Sequence, residues 1–314
     1  MTGPHPAVAA VRSAVRRLLE SLEPPDRVAV AVSGGADSLA LAAAATHVAP
    51  RLGLAVHGLV VDHGLQDGSE QVAADTAKAL HAMDFTEVQV LPVEVSGPGG
   101  LEAAARRARY EALRKAVPDA MVLLGHTRDD QAETVLLGLG RGSGPRSIAG
   151  MRPVDPPWLR PFLDLPRETT VAACVALDLR PWQDPHNADP RFTRVRLRRE
   201  VLPVLEDVLA GGVSAALART AAQLREDAEA LDAIAARFTG EPDIEVLAEQ
   251  PAAVRRRVLR RWLLERGVRE LTDAQLRAVD GLIGEWRGQG AVWLPGGLEV
   301  GRAHGRLTVF QPPR

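Results

Sequence analysis

One short segment constrains the fold of this chain more than any other, the six residues SGGADS at positions 33–38. They follow an apolar run at residues 27–32, which predicts a buried strand, and precede an apolar run at 39–45, which predicts a helix. A strand that turns through two glycines into a helix N-terminus lets main-chain N–H groups approach an anion. The segment therefore predicts a phosphate-binding loop.

The residues of this loop suggest that it binds phosphate groups together with a metal ion. The loop lacks the Gly-Lys-Ser/Thr of a Walker loop and carries Asp37 instead, and an acid beside phosphates suggests a bridging Mg²⁺. A plain turn followed by an N-cap uses the same residue types, so this alternative stays open on the loop alone. SGGxDS between a strand and a helix resembles the loop of the N-type ATP pyrophosphatases (PP-loop enzymes). The resemblance implies cleavage of ATP to AMP and pyrophosphate.

Strand and helix patterns alternate through the first half of the chain, which predicts an α/β fold with a doubly wound parallel sheet. Strands are predicted at 27–32, 54–61, 87–93 and 121–124, and helices at 8–22, 38–47, 69–83, 101–116 and 129–139. Ligands bind such sheets at the carboxyl ends of the strands. Polar residues follow three predicted strands at that edge: residues 33–38, Asp62 with His63, and Gly125 with His126.

The pattern changes after residue 140, where glycine-rich and proline-rich segments interrupt it. Helical periodicity returns at 191–208, 214–236, 252–266 and 273–285, and short strands are predicted in the tail at 291–311. We therefore predict a boundary near residue 212. It separates an ATP-binding catalytic domain, residues 1–212, from a smaller, mainly helical C-terminal domain, residues 213–314.

Composition narrows the class of protein. The single cysteine, Cys174 on a predicted helix, rules out an internal disulfide and a multi-cysteine zinc site. No run of about 18 apolar residues occurs, so no membrane span is expected, and a cytoplasmic protein is the expectation. An apolar face on residues 214–236 packs either within a domain or between two chains, which leaves a homodimer as one of two alternatives.

A second group of polar residues lies in the segment GHTRDDQAET at 125–134. On the predicted helix, Asp129 and Glu133 share one face, and Asp130 and Thr134 share another. Acids in a first turn also interact favourably with the helix dipole, which is the simpler explanation. Near phosphates, the same carboxylates would hold Mg²⁺ or a cationic substrate.

Several segments together resemble the tRNA(Ile)-lysidine synthetases, also called synthases. The matching segments are VDHGL at 61–65, EAAARRARY at 102–110, GHTRDDQAET at 125–134, RGSG at 141–144, MRP at 151–153, RPF at 160–162, and WQDPHNAD at 182–189 running into 191–203. The match covers roughly residues 25–205. The remainder fits the shorter form of the family in size, without a sharp motif.

The resemblance implies a reaction. In that family ATP adenylates the C2 oxygen of the wobble cytidine in the CAU anticodon of tRNA(Ile), and the ε-amine of L-lysine then attacks C2 and releases AMP. Loop N–H groups and Mg²⁺ would hold the departing pyrophosphate. An acidic cluster would suit the lysine ammonium and take a proton from it. The C-terminal domain would serve tRNA binding.

The resemblance also implies site residues. ATP phosphates would bind to Ser33, Gly34, Gly35, Ala36, Asp37 and Ser38, with Asp37 beside Mg²⁺, and Asp62, His63, Gly125 and His126 would lie near the nucleotide. Arg109 would sit close to phosphate or the reacting base, and Asp129, Asp130 and Glu133 would handle lysine and metal. Two alternatives stay open: Arg109 as a surface arginine on an arginine-rich helix, and His126 as a loop residue that bonds backbone.

The chain departs from the family pattern at four positions. Thr127 stands where a second histidine is frequent, and Gln66 replaces a basic residue. Phe192 and Val195 stand where tyrosine and asparagine are usual. None of the four lies in SGGADS or among the DDQAET acids, so activity is still expected.

Contacts to RNA are predicted from charge and aromatic residues. Five arginines fall within residues 191–199 and five within 255–261, and such runs suit phosphate backbones, although a salt-bridged helix face uses the same pattern. Candidate stacking residues, which pack equally well in a core, are Trp158, Trp182, Phe192, Trp262 and Trp286.

Three other functions compete with this interpretation. A tRNA thiolation enzyme would need cysteine pairs, and the chain has one cysteine. An amidating synthetase would share SGGxDS but not the GHTRDDQAET and WQDPHNAD segments. A non-catalytic binding module would not require Asp37, Asp129, Asp130 and Glu133.

Overall fold

The computed structural model describes residues 3–23, 27–98, 100–142 and 144–311. Ser143 of the RGSG segment and the side chain of Asn187 lie outside the described part. The chain divides into two compact units between Ala222 and Gln223. The domain boundary near residue 212 stays a prediction.

The first unit is built on a six-stranded sheet with the strand order β3-β2-β1-β4-β6-β5. The strands are β1 (Arg27–Ala31), β2 (Ala55–Asp62), β3 (Glu87–Pro92), β4 (Met121–Leu124), β5 (Val154–Asp155) and β6 (Trp158–Leu159). All neighbours run parallel except β5 and β6. Since β2 and β4 pair with opposite edges of β1, the strand order reverses there, and a ligand crevice is expected at the carboxyl ends of β1 and β4.

Nine helices belong to the described part of this unit before residue 213. They are α1 (Pro6–Glu20), α2 (Ala36–Val48), α3 (Ser69–His81), α4 (Gly100–Ala116), α5 (Arg128–Arg141), α6 (Pro145–Ile148), α7 (Arg167–Ala176), α8 (Thr193–Arg196) and α9 (Leu202–Val208). The apolar helix α2 is buried around most of its circumference and packs against α1 and α7, which explains why its sequence has no polar face.

The predicted doubly wound sheet is confirmed, and each of the four predicted strands is present within one residue of its predicted limits. Two features were not predicted. The proline-rich segment at 153–166 contains the β5–β6 hairpin, whose two-residue strands are too short to show a periodic pattern. Residues Leu197–Val201 form a π turn between α8 and α9, which sequence periodicity does not distinguish from an α-helix.

The second unit combines helices with a small antiparallel sheet. Helix α10 (Val213–Ala235) spans the division between the units, and α11 (Ile244–Ala248), α12 (Ala252–Glu265) and α13 (Asp273–Gly284) follow it. Strands β7 (Val292–Leu294), β8 (Leu298–Ala303) and β9 (Arg306–Phe310) form the three-stranded sheet. The core of this unit centres on Leu259, Trp262 and Leu263 of α12, and the predicted strands of the tail are confirmed.

Within the described ranges, no single helix is both long and apolar enough to cross a membrane. Two helical segments that meet at a bend of 94°, Thr193–Val208 and Val213–Ala235, reach the required length and hydropathy only when taken together.

Candidate active site

The predicted phosphate loop connects β1 to α2 and leaves the N-terminus of α2 open. Gly35 is the N-cap of α2 and supplies no side chain to bond the first N–H groups of the helix. The hydroxyl of Ser38 accepts a hydrogen bond from the Ser33 N–H at 3.1 Å and donates one to the Gly35 carbonyl at 2.9 Å. Ser38 thus holds the loop in a closed curve, and the free N–H groups are available to an anion.

Two glycines permit the close approach that this loop requires. Gly34 has a φ of +80°, and a Cβ there would lie 2.7 Å from the Thr76 Oγ1 atom. Gly125, just after β4, would place a Cβ 3.0 Å from the main-chain carbonyl of Asp37 and 3.1 Å from the Ser38 nitrogen. The end of β4 therefore lies directly against the first turn of α2, which brings two of the predicted polar segments together.

Two adjoining cavities open at this edge of the sheet. The first has a volume of about 310 Å³ and is lined by the ends of β1 and β2, the loop after β2, and Trp182. The second has a volume of about 330 Å³ and extends from the phosphate loop to α5 and the segment around Arg194. Residues Ser33, Gly35 and Arg109 line both cavities, so the phosphate loop lies where they meet.

The second cavity carries an excess of positive charge. Its charged lining residues are the carboxylates of Asp37, Glu102 and Asp130 and the guanidinium groups of Arg106, Arg109, Arg167, Arg194 and Arg198. The acidic helix alone suggested a site for a cation, whereas the five arginines make the cavity as a whole favourable for phosphate groups. Four of these arginines were not predicted as active-site residues, although Arg194 and Arg198 belong to the run at 191–199 that was proposed to contact RNA. The i,i+4 spacing of Arg194 and Arg198 was the available signal, because it puts both on one helix face.

Arg109 lies at the junction of the two cavities. Its guanidinium makes no hydrogen bond or ion pair with any residue that the structure describes. Burial lowers the pKa of this guanidinium, and the neighbouring Arg106 lowers it further. A partly buried cation without a protein partner is suited to receive an anionic ligand, which favours the site role over the surface alternative.

Asp37 is held by two residues of α7. The Arg167 Nη2 atom lies 3.1 Å from the Asp37 Oδ2 atom, and the Thr170 hydroxyl donates a short hydrogen bond to Oδ1. Burial raises the pKa of Asp37, and the positive charge of Arg167 opposes that rise. The carboxylate is therefore oriented within the protein before any ligand arrives.

The two predicted acids of the first turn of α5 point to different partners. Asp130 forms a capping box, since its Oδ2 atom accepts hydrogen bonds from the N–H of Thr127 at 2.8 Å and from its hydroxyl at 3.0 Å. Burial raises the pKa of Asp130, but the neighbouring His126, the Thr127 N–H and the guanidinium of Arg198 together outweigh it, and the pKa is lowered. Asp129 turns away and accepts a hydrogen bond from the Arg167 N–H at 2.9 Å.

Glu133 is fully buried and pairs with arginines from the segment that follows residue 190. Nε of Arg198 lies 2.7 Å from its Oε1 atom, and Nη1 of Arg194 lies 3.5 Å from its Oε2 atom. Burial raises the pKa of Glu133, and the charge of Arg198 counteracts that rise. The π turn at Leu197–Val201 carries Arg198, and π turns are frequent at functional sites.

Two predicted histidines are kept neutral by their surroundings. Burial lowers the pKa of His63, which lines the first cavity, and Arg109 lowers it further. Burial lowers the pKa of His126, which lines the second cavity, to about 3. The buried Nδ1 atoms of both rings have no hydrogen-bond partner in the described part of the protein.

The WQDPHNAD segment closes one side of the first cavity. The Trp182 N–H donates to the Gly34 carbonyl at 2.9 Å, and Nε2 of Gln66 donates to Asp184 Oδ1 at 2.6 Å. The Asp62 carboxylate accepts from the N–H of Gly64 at 3.0 Å and orders the loop after β2. Gln66, a departure from the family pattern, thus connects two loops that both line the cavity.

The candidate stacking residues fall into two groups. Trp158 is buried against Tyr110, with 4.6 Å between ring centroids, and Trp262 is buried in the core of the second unit. Trp182 lines the first cavity and Phe192 lines the second. Trp286 is exposed, with the guanidinium of Arg302 4.6 Å from its ring centroid. Unlike Trp158 and Trp262, the last three are not buried.

Most arginines of the run at 255–261 are used inside the second unit. Arg255 and Arg256 pair with Asp280, at 2.7 Å and 3.7 Å, and Arg257 pairs with Asp232 at 2.9 Å. Arg261 donates to the main-chain carbonyls of Ala235 and Phe238. For these four arginines, the contacts favour the salt-bridged alternative over a phosphate-binding surface.

Comparison with known proteins adds independent findings. A family described as PP-loop domain matches residues 8–205, and a family described as TilS substrate binding domain matches residues 243–308. The tRNA(Ile)-lysidine synthase of Rhodococcus erythropolis is 56% identical over 315 residues, which covers 97% of this chain and 96% of the relative. The enzyme of that name from Mycobacterium tuberculosis H37Rv is 51% identical, with 98% of each chain covered.

A solved structure shares the fold. The U34-tRNA thiolase NcsA from Methanococcus maripaludis, determined with its [4Fe-4S] cluster, superposes with a TM-score of 0.58 at 17% sequence identity. The superposition covers 70% of this chain and 80% of the thiolase. At this identity the likeness establishes a common architecture.

Proposed function

We propose a function from the premise that this chain belongs to the tRNA(Ile)-lysidine synthase family, whose members are ATP-dependent ligases. The chain converts the wobble cytidine in the CAU anticodon of tRNA(Ile) to lysidine, with ATP and L-lysine as the other substrates. The observation that carries this proposal is the meeting of the SGGADS loop and the DDQAET helix at one cavity, as Asp37 and Asp130 both line it.

ATP fits across the junction of the two cavities. The first cavity offers apolar walls from the ends of β1 and β2 for the adenosine, with polar atoms on His63 and Asp62. The triphosphate would then lie against the open N-terminus of α2, where Ser33 and Gly35 border both cavities. This orientation points the α-phosphate toward Arg109 and the second cavity.

Mg²⁺ fits this site as an ion carried by ATP. No group of three or more histidine, cysteine or acidic side chains able to hold a metal occurs among the described residues. Mg²⁺ commonly uses one or two carboxylates together with substrate phosphates, and Asp37 is the carboxylate beside the phosphate loop. An ion bound there would neutralise charge on the departing pyrophosphate.

The reaction proceeds in two steps. The C2 oxygen of cytidine attacks the α-phosphorus of ATP, the bond from that phosphorus to the bridging oxygen breaks, and pyrophosphate leaves. The lysine ε-amine then attacks C2, loses a proton, and AMP departs with the C2–O bond electrons. In this proposal Arg109 would stabilise negative charge on the α-phosphate in both steps, a role supported by its position at the junction and its lack of a partner among the described residues.

Lysine enters the second cavity beside α5. The lowered pKa of Asp130 keeps its carboxylate ionised, which suits an ammonium group. Glu133 lies behind it and is balanced by Arg198 and Arg194, which also line the cavity. The nucleophile must be the neutral amine, so a proton has to pass from lysine to a neighbouring base before attack.

The second unit supplies further contact to tRNA in this proposal, supported by the match of residues 243–308 to the substrate binding domain. The exposed Trp286 with Arg302 has the aromatic and cationic character that suits RNA. A cytoplasmic location and a homodimer formed through α10 stay predictions.

The structure does not support sulfur transfer, the type of reaction that the name of the structurally similar thiolase indicates. Its single cysteine, Cys174, is buried on α7 with its Sγ atom 3.3 Å from the Ala36 carbonyl oxygen. Burial raises the pKa of the thiol to about 11, so the reactive thiolate is scarce at neutral pH.

The test is incorporation of radiolabelled lysine into a CAU-anticodon tRNA(Ile) transcript in the presence of ATP. Lysine incorporated and AMP released should be equal in amount, and the same transcript with uridine at the wobble position should accept no lysine. Asp37→Ala should abolish AMP release while the protein stays folded. AMP formation with another acceptor and no lysine incorporation would overturn the proposal.

A further inference from the structure

Asp129 differs from the other acids of α5 in what it contacts. Its carboxylate accepts the main-chain N–H of Arg167, the first residue of α7, at 2.9 Å. The N-cap residue of α7 is Pro166, which supplies no side-chain cap, so Asp129 caps this helix from another element. A carboxylate at a helix N-terminus also interacts favourably with the helix dipole.

The first turn of α7 in turn holds Asp37. Arg167 and Thr170 each contact one carboxylate oxygen of Asp37, and the Thr170 hydroxyl also lies 2.8 Å from the Arg167 carbonyl. Thr170 is fully buried, so water does not compete for its hydroxyl. A continuous set of contacts therefore runs from Asp129 on α5, through α7, to Asp37 at the phosphate loop.

The lining of the second cavity separates Asp129 from the residues that face a ligand. Asp37, Asp130 and Arg167 line this cavity, whereas Asp129 lines neither cavity. The three acids of the DDQAET segment thus divide by direction, with Asp130 at the cavity and 3.3 Å from Arg198, Glu133 buried against Arg194 and Arg198, and Asp129 against α7.

We infer that Asp129, Arg167 and Thr170 act together as positioning residues that hold the Asp37 carboxylate at the phosphate end of the site. This inference rests on the proposed function for the identity of the reaction. It assigns Asp129 to the ATP half of the site through α7, and leaves contact with lysine to Asp130. A loss of this contact should weaken ATP use while the affinity for lysine is retained.

The discriminating experiment replaces Asp129 in two ways. Asp129→Asn keeps an oxygen that accepts the Arg167 N–H but removes the charge, whereas Asp129→Ala removes the acceptor. We expect Asp129→Ala to raise the KM for ATP by about tenfold, the effect of one hydrogen bond to a charged group, with the KM for lysine unchanged. Asp129→Asn should restore most of the loss. The exposed Glu168→Ala, in the same turn of α7, serves as the matched control.

A second pair of variants keeps the inference testable if Asp129→Ala does not fold. Thr170→Val removes the hydroxyl at nearly constant volume, and Thr170→Ser retains it. Calorimetric titration with Mg²⁺ and a non-hydrolysable ATP analogue should show about tenfold weaker binding for Thr170→Val than for Thr170→Ser. Equal affinities for the two would overturn the inference.

The same measurements separate this inference from the proposed function. If Asp129→Asn and Asp129→Ala both raise the KM for lysine and leave that for ATP unchanged, Asp129 contacts lysine and the inference is wrong. If the wild-type protein makes no lysidine, the proposed function fails. The nucleotide affinities of the Thr170 variants still decide the positioning role in that case.

Discussion

The Nε atom of Arg198 lies 2.7 Å from the carboxylate of Glu133, and Glu133 has no exposed side-chain surface. The two residues come from helical segments 65 positions apart, so their pairing fastens the segment around the π turn to α5. Removing one partner of a buried pair leaves the other charge unbalanced in a medium of low polarity.

Glu133→Ala should therefore lower the free energy of unfolding by about 3–5 kcal/mol, measured by urea denaturation. The matched control is Glu200→Ala, which removes the exposed partner of Arg196 and should cost about 0–1 kcal/mol. Equal costs for the two variants would contradict the structural role given to Glu133.

The hydrogen bond from Gln66 to Asp184 predicts an effect on ATP binding. These residues connect the loop after β2 with the WQDPHNAD segment, and both line the first cavity. Gln66→Ala should raise the KM for ATP by about three- to tenfold, because one hydrogen bond that orders the pocket is lost. Gln71→Ala, which removes an exposed hydrogen bond to Asp75, should leave the KM unchanged. An unaltered KM in Gln66→Ala would refute the role of this contact.

The lowered pKa of His126 predicts a specific dependence of the free energy of unfolding on pH. Its pKa falls from an ordinary value of 6.5 to about 3 in the folded protein, so the unfolded chain takes up the proton first as the pH is lowered. This group therefore costs stability between pH 6.5 and about 3, with a slope of at most about 1.4 kcal/mol per pH unit.

Replacement of His126 by Asn should flatten the stability profile over that range, measured as the difference in unfolding free energy between variant and wild type. Asp37 and Glu133, whose pKa values are raised, contribute with the opposite sign, since folding favours their protonated forms as the pH falls. Comparison with wild type removes their contribution. An identical pH dependence in the two proteins would show that His126 titrates normally.

Replacing Gly34 by alanine should destabilise the protein for two reasons, backbone strain and a steric clash, and a control variant can separate them. Its φ of +80° strains any other residue, and a Cβ would meet Thr76 at 2.7 Å. Gly53 has a similar φ of +77°, but a Cβ added there would have no atom within 4 Å. Gly53→Ala should cost about 1 kcal/mol from backbone strain alone. Gly34→Ala should destabilise the protein more than Gly53→Ala does, as measured by thermal denaturation. It should also impair ATP cleavage. If both variants cost the same and keep full activity, the loop does not need the close approach.

Features that depend on local sequence were predicted, and features that depend on distant contacts were not. The apolar runs define β1 to β4, and the glycines of SGGADS identify the loop, because both signals lie in adjacent residues. Asp129, Asp130 and Glu133 were grouped as one acidic cluster, since the sequence contains their spacing on a helix but not what surrounds it. The contacts to Arg167 and Arg198 that distinguish them come from residues 38 and 65 positions away.

The same reasoning explains why the contacts of the arginines could not be predicted from the sequence. The sequence of an arginine run such as 255–261 is the same whether the arginines bind RNA or pair with carboxylates. Their partners, Asp232 and Asp280, belong to other helices. Arg109 shows the converse. The family resemblance implied its site role, which stays a prediction, and the lack of a partner among the described residues supports that role. No local pattern could supply that observation.

The most direct test of this account is the identity of the nucleoside formed at the wobble position. The full-length protein is incubated with CAU-anticodon tRNA(Ile), ATP, Mg²⁺ and isotopically labelled L-lysine, and the tRNA is digested and analysed by mass spectrometry. The account predicts that the wobble cytidine gains one lysine with loss of water, joined through the ε-nitrogen. An unmodified cytidine after AMP has been released, or a cytidine modified without lysine, would contradict it.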